Sequence, residues 1–156
     1  MYTKHMRRAV RAIVIHNDAL LVMHRNKFGE EYYTLVGGGI AHGETPEQSL
    51  YRELAEETGV IIANPRLTFV EEAGDPYGPQ YIYVCDYQSG QPGLAPHSEE
   101  AKIHALGRNL YIPMWLPLKD LPDVPFLSET LKSLILQALK QKTWPETPQT
   151  FKHVQV

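Results

Sequence analysis

Three glutamates carry the strongest chemical signal in this chain. Glu53, Glu56 and Glu57 stand at i, i+3 and i+4, and in a helix advancing about 100° per residue all three carboxylates fall on one side. Leu50 and Leu54 run beside them as a narrow apolar stripe. Like charges at these spacings repel by a few tenths of a kcal/mol per pair. A helix that only covered a core would gain by alternating Lys with Glu here. Two readings stand: a solvated acidic face, or a site where a hard divalent cation such as Mg²⁺ or Mn²⁺, which prefers oxygen ligands, removes the repulsion. The preceding segment favours the second. Gly37, Gly38, Gly39 and Gly43 let the backbone approach a ligand closely, so a main-chain carbonyl can join the carboxylates.

A phosphate-cradling P-loop is the competing use of such glycines. Gly38 and Gly43 have its spacing and Thr45 supplies its final hydroxyl, but Glu44 stands where the lysine belongs. A carboxylate there repels the phosphates that the lysine holds. The P-loop reading fails on charge.

The order Gly38, five residues, Glu44, seven residues, then Arg52-Glu53-Leu54-Ala55-Glu56-Glu57-Thr58-Gly59-Val60 resembles the signature box of the Nudix hydrolase family, with every fixed position filled. The resemblance implies an α/β fold, an α/β/α sandwich around a central mixed sheet, and a metal-dependent hydrolase that cleaves the diphosphate linkage of a nucleotide-like substrate. It implies Mg²⁺ or Mn²⁺ on Glu53, Glu56, Glu57 and a carbonyl of the Gly37-Gly38 region, with Gly38 the assigned ligand. Arg52 would orient a carboxylate, Glu53 first, and Glu44 would support the junction of loop and helix. The general base stays open between the box, Glu53 or Glu56, and a later acidic pair, Glu99 and Glu100. The chemistry is water attack on phosphorus with a carboxylate accepting the proton.

Substrate identity is less legible. ADP-ribose, a nucleotide sugar and an oxidised nucleoside triphosphate all suit the box. Pro76, sixteen residues past Val60, lies near a proline position of ADP-ribose-cleaving relatives, and an ordinary turn explains it equally. Tyr81, Tyr83 and Tyr87 alternate on one strand face, where stacking on a base competes with plain packing. Phe28 and Tyr33 are further pocket candidates. Lys4, Arg7, Arg8 and Arg11 make the N-terminal segment basic, and are read as strand-edge or terminal charges rather than phosphate contacts. A non-catalytic sensor or interaction module with the same fold is the alternative function, and loss of box glutamates would favour it. The box is intact.

The elements that must position these residues are readable in outline. Ala9 to Ile15 and Ala19 to Met23 form two β-rich runs around Asn17-Asp18, a hairpin pattern. Tyr32 to Val36 reads as a third strand stopped by the glycines. Thr45 as N-cap, Pro46 and Gln48 open a helix that Gly59 closes. Arg66 to Ala73, Gln80 to Tyr87 and Tyr111 to Leu118 read as further strands, with Glu99 and Glu100 in a loop. A last helix starts at Ser128 and carries Leu131, Leu134, Ile135, Ala138 and Leu139 at helical spacing, with Lys140 and Lys142 at its end.

The 156 residues suit one domain over 1–142 and a tail over 143–156. A net charge of −3 argues against general nucleic-acid binding and disfavours RNA 5′ ends as the target. One cysteine, Cys85, allows neither an internal disulfide nor a cysteine zinc cluster. No apolar run spans a membrane and no secretory pattern opens the chain, so the expected setting is cytoplasmic, as a monomer or a homodimer.

Overall fold

The computed structural model describes residues 7–72, 74, 77–93, 99–104 and 106–153, and the side chains of 77 and 99–101 stand outside that description. The elements run β1 Arg7–His16, β2 Ala19–Lys27, β3 Glu30–Thr34, β4 Val36–Gly39, α1 Pro46–Thr58, β5 Ile61–Glu72, β6 Tyr77–Ser89, α2 Glu99–His104, β7 Asn109–Pro117, a 3₁₀ turn Leu118–Asp123, α3 Glu129–Gln141 and β8 Gln149–Lys152. They build an eight-stranded mixed sheet ordered β3-β2-β1-β6-β5-β8, with β4 paired to β1 and β7 to β2. β1 pairs parallel with β6, and β5 with β8.

The β1–β2 turn places both Asn17 and Asp18 at positive φ, 51° and 58°, as a two-residue hairpin turn requires. The hairpin holds only Ile15↔Leu20 and His16↔Ala19. Beyond them β2 diverges and β4 takes its place along β1. This divergence splits the expected Tyr32 to Val36 strand. Residues before Leu35 pair with β2 and those after it with β1. The glycines therefore do not end a strand. Gly37, Gly38 and Gly39 form the β4 ladder opposite Arg11, Val10 and Ala9.

Alternation along β1 divides the core. Val10, Ala12 and Val14 pack with Leu50 and Leu54 of α1 on one face. Ile13, Ile82 and Phe69 pack with Leu131 and Ile135 of α3 on the other. Each helix buries one apolar stripe against its own sheet face, which is the expected α/β/α sandwich. Thr45 caps α1 with both halves of the capping box in place, and Gly59 closes it in the left-handed conformation at φ 74°. Ser128 caps α3 as read.

Other boundaries differ from the sequence reading as well, since β2 runs on to Lys27 and β6 begins at Tyr77. β5 starts at Ile61, because Asn64, at φ 50°, carries a register shift between Ala63 and Arg66 rather than a strand end. Glu99 and Glu100 belong to the short helix α2, not to a loop. The segment after α3 also packs: Trp144 and Phe151 meet Phe69 edge-on at 6.3 Å, and β8 extends the sheet beside β5.

Candidate active site

The capping box fixes where α1 begins, and that fixes which way its acids face. Glu57 is buried at 7% exposure, the Glu53 side chain is 12% exposed and the Glu56 side chain 49%. Arg52 ties the group together. Its Nε donates to both Glu44 oxygens at 2.9 and 3.1 Å, and Nη1 donates to Glu53 at 3.0 Å and to Glu56 at 3.3 Å. Burial pulls the Arg52 guanidinium pKa down, but the hydrogen bond donated to Glu44 and the charges of Glu53 and Glu44 outweigh it and the net shift is upward. Glu44 also accepts from Ser49 Oγ at 3.0 Å, and Ser49 Oγ accepts from the Ala41 N–H at 3.2 Å. This ties the loop to the helix, the role read for Glu44.

β4 brings the backbone to the acids. A Cβ at Gly38 would lie 2.6 to 2.7 Å from the Glu53 carboxyl atoms, so only glycine lets the main chain approach that carboxylate. Gly37 is constrained from the other side, where a Cβ would sit 1.8 Å from the Val10 carbonyl oxygen. The local donor set is oxygen throughout. In the arrangement seen, with Arg52 engaging Glu53 and Glu56, no group of three or more His, Cys, Asp or Glu among the described residues is poised to hold an ion.

On the other sheet face, a cavity of about 390 Å³ is lined by Arg11, Tyr32, Gln80, Glu71, Ser128 and His153, with Phe126 and Leu131 as apolar wall. Arg11 was read as a strand-edge charge. It is instead a half-buried side chain facing this cavity. Its pKa is lowered by burial, against the raising charges of Glu57, Glu53 and Glu71. Its Nε donates to Gln80 at 3.3 Å and Nη1 to the Leu35 carbonyl at 3.4 Å. Arg11 thus feels both the box carboxylates and the cavity floor.

The other candidates fall elsewhere. Tyr81, Tyr83 and Tyr87 pack on the α1-side core. The Tyr83 hydroxyl meets Glu47 at 3.1 Å, and burial followed by that carboxylate pushes its pKa upward. Tyr87 stacks on His16 at 4.0 Å. Tyr33 stacks on His24 at 4.5 Å, and Phe28 is exposed at a turn. Pro76, Lys4 and the side chains of Glu99 and Glu100 lie outside the described residues. No helix among the described residues is long and apolar enough to cross a membrane.

Known proteins resemble this chain in sequence and in fold. The NAD-capped RNA hydrolase NudC of Haemophilus influenzae is 29% identical over 126 residues, covering 80% of this chain and 45% of its own. The uncharacterized Nudix hydrolase YvcI of Bacillus subtilis is 27% identical over 128 residues, 78% of this chain and 72% of its own. The chain therefore spans less than half the length of the NudC relative. An ADP-ribose pyrophosphatase from Streptococcus suis superposes with a TM-score of 0.67 over 94% of this chain and 100% of that one, at 18% identity, a likeness of fold. The NUDIX domain model matches residues 5–136, and the chain belongs to that family.

Proposed function

We propose that the chain is a metal-dependent hydrolase that cleaves the diphosphate linkage of a nucleoside diphosphate derivative by water attack on phosphorus. The observation that carries this reading is the close approach of Gly38 to the Glu53 carboxylate on a helix face that also bears Glu56 and Glu57. Glu53, Glu56, Glu57 and the Gly38 carbonyl form an oxygen-only donor set that suits Mg²⁺ or Mn²⁺. When bound, such an ion neutralises phosphate oxygens and lowers the pKa of a coordinated water.

The chain's own groups supply the rest. Arg52 orients Glu53 while Glu44 anchors Arg52. Glu53 and the half-exposed Glu56 are the box carboxylates available to accept a proton from water. Glu99 and Glu100 are the alternative base, and Gln at the acting position would lower kcat more than affinity. Arg11, within electrostatic range of Glu57 and Glu53, adds positive charge to the region.

ADP-ribose is the leading substrate, since ADP-ribose pyrophosphatase and NAD-capped RNA hydrolase are both names among the relatives. The proposed setting is the cytoplasm, in keeping with the unpaired, buried Cys85. The test is a panel of ADP-ribose, nucleotide sugars and oxidised nucleoside triphosphates, with Mg²⁺, Mn²⁺ or EDTA and chromatographic identification of products. The expected result is AMP and ribose phosphate from ADP-ribose, lost with EDTA and restored by either ion. Full turnover by metal-free protein overturns the mechanism. A preference of ~10² for a triphosphate, about 2.7 kcal/mol of differential transition-state binding, overturns the substrate assignment.

A further inference from the structure

The floor of the 390 Å³ cavity is a buried carboxylate with only one of its oxygens engaged. Strand alternation puts Arg11, Gln80 and Glu71 on the α3 face, in a row across β1, β6 and β5. Glu71 is 7% exposed. Its Oε2 accepts from Ser128 Oγ at 2.5 Å and lies 3.3 Å from His153 Nδ1. Its Oε1 makes no hydrogen bond among the described residues, and no fully buried side-chain polar atom is left unsatisfied. Oε1 therefore reaches the cavity that Glu71 lines.

The second arm of this clamp comes from outside the region matched to the family. The match ends at residue 136, whereas His153 follows β8, held by β5–β8 pairing and by its own N–H donating to the Glu72 carbonyl at 2.9 Å. With Ser128 on one side and His153 on the other, the carboxylate has little freedom to turn away.

We propose that this cavity, completed by the C-terminal strand, receives the heterocycle of the substrate, and that Glu71 selects a ring edge bearing an exocyclic amino group. The identity of the ligand as a nucleotide rests on the hydrolase reading above. A carboxylate oxygen accepts only, so it rewards an N–H and repels a carbonyl or phosphate oxygen. Gln80 Oε1 is engaged by Arg11, which leaves its amide N–H groups and the Arg11 N–H groups not bound to Gln80 or Leu35 as partners for ring nitrogens. The polarity fixes orientation: ring nitrogens toward Gln80 and Arg11, amino edge toward Glu71. A volume near 390 Å³ falls within the range of small-ligand pockets, ~300–1,000 Å³.

The test is calorimetric binding to the full chain of AMP against purine riboside 5′-monophosphate, and of GMP against IMP, two pairs that differ only in the amino group. In at least one pair the amino-bearing member is expected to bind about tenfold tighter or more, the size of a hydrogen bond to a charged group. In Glu71→Gln the amide carbonyl takes the Ser128 hydroxyl and turns its N–H₂ to the cavity, so that preference is expected to vanish or invert. His153→Ala acts through position and is expected to raise KM with kcat little changed. Ratios near one in both wild-type pairs, or an unchanged ratio in folded Glu71→Gln, overturn the proposal. The wild-type ratios need neither a variant nor turnover, so an inactive enzyme refutes the hydrolase reading without deciding this one.

Discussion

Gly37 and Gly38 are neighbours on one strand, yet a single methyl added to each should fail in opposite ways. At Gly38 the new Cβ would lie 2.6 Å from the Glu53 carboxyl carbon, against an ordinary contact of 3.4 to 4 Å, so the carboxyl must retreat by roughly 1 Å. The obstructing atoms end a flexible side chain, and the fold can absorb the change. A misplacement of about 1 Å at a reacting group costs ~10² in rate, about 2.7 kcal/mol of transition-state stabilisation. At Gly37 the Cβ would fall 1.8 Å from the Val10 carbonyl oxygen and 2.8 Å from its carbon. Those are backbone atoms of the β1–β4 ladder, which must open. That places Gly37→Ala at or beyond the upper end of overpacking costs, ~3 kcal/mol, or a fall in Tm of ~6–12 °C for a chain of this size. The assay is kcat on the best diphosphate substrate beside a thermal melt for each variant. Wild-type kcat in Gly38→Ala would remove Glu53 from the chemistry. A Gly37→Ala melt within ~2 °C of wild type would show that the steric argument from β4 is wrong.

Two further outcomes follow from the burial pattern. Glu56→Gln and Glu57→Gln are each expected to lose at least ~10² in kcat with the fold retained. Because the Glu56–Arg52 pair is largely exposed, Glu56→Gln should change stability by well under ~1 kcal/mol, and normal rates in both variants would mean that the acidic face is only solvated. The Cys85 thiol, 5% exposed, is pushed by burial from 9.0 up to about 12, so native protein at about pH 8 should resist thiol reagents until it unfolds. A folded pKa above the unfolded one means that the thiol's contribution is complete below pH 9.0 and lost as pH rises toward about 12. Labelling of native protein at the rate of a free thiol would contradict this.

The legible parts of the fold were those governed by local rules. Thr45, Pro46, Gln48 and Gly59 set both ends of α1 through capping geometry that involves only neighbours in sequence. The Asn17-Asp18 hairpin and the periodic stripe of α3 are local in the same sense. The misreadings arose where pairing is decided at long range. Tyr32 to Val36 looked like one strand because nothing in those residues records that β2 and β4 exchange places along β1. The glycines looked like a loop because their ladder partner, β1, lies far back in the chain. Asn64 hid a bulge, since positive φ at a non-glycine residue in a strand is a property of the register and not of the residue.

The candidate site divides along the same line. The box is a contiguous segment whose chemistry needs one helix and one adjacent strand, so its residues could be named from spacing. The cavity draws on β1, β3, β5, β6, the turn before α3 and the segment after β8, and no spacing rule connects those pieces. One local clue did exist. Arg11 interrupts the apolar run from Ala9 to Ile15, and a charge within a strand buried on both faces is costly unless something pairs with it. Its partners prove to be Gln80, the Leu35 carbonyl and the field of Glu53, Glu57 and Glu71. A strand-edge reading treats such a residue as tolerated. The desolvation cost argues instead that Arg11 is kept for what it faces, and what it faces is the cavity that Gln80 and Glu71 also line.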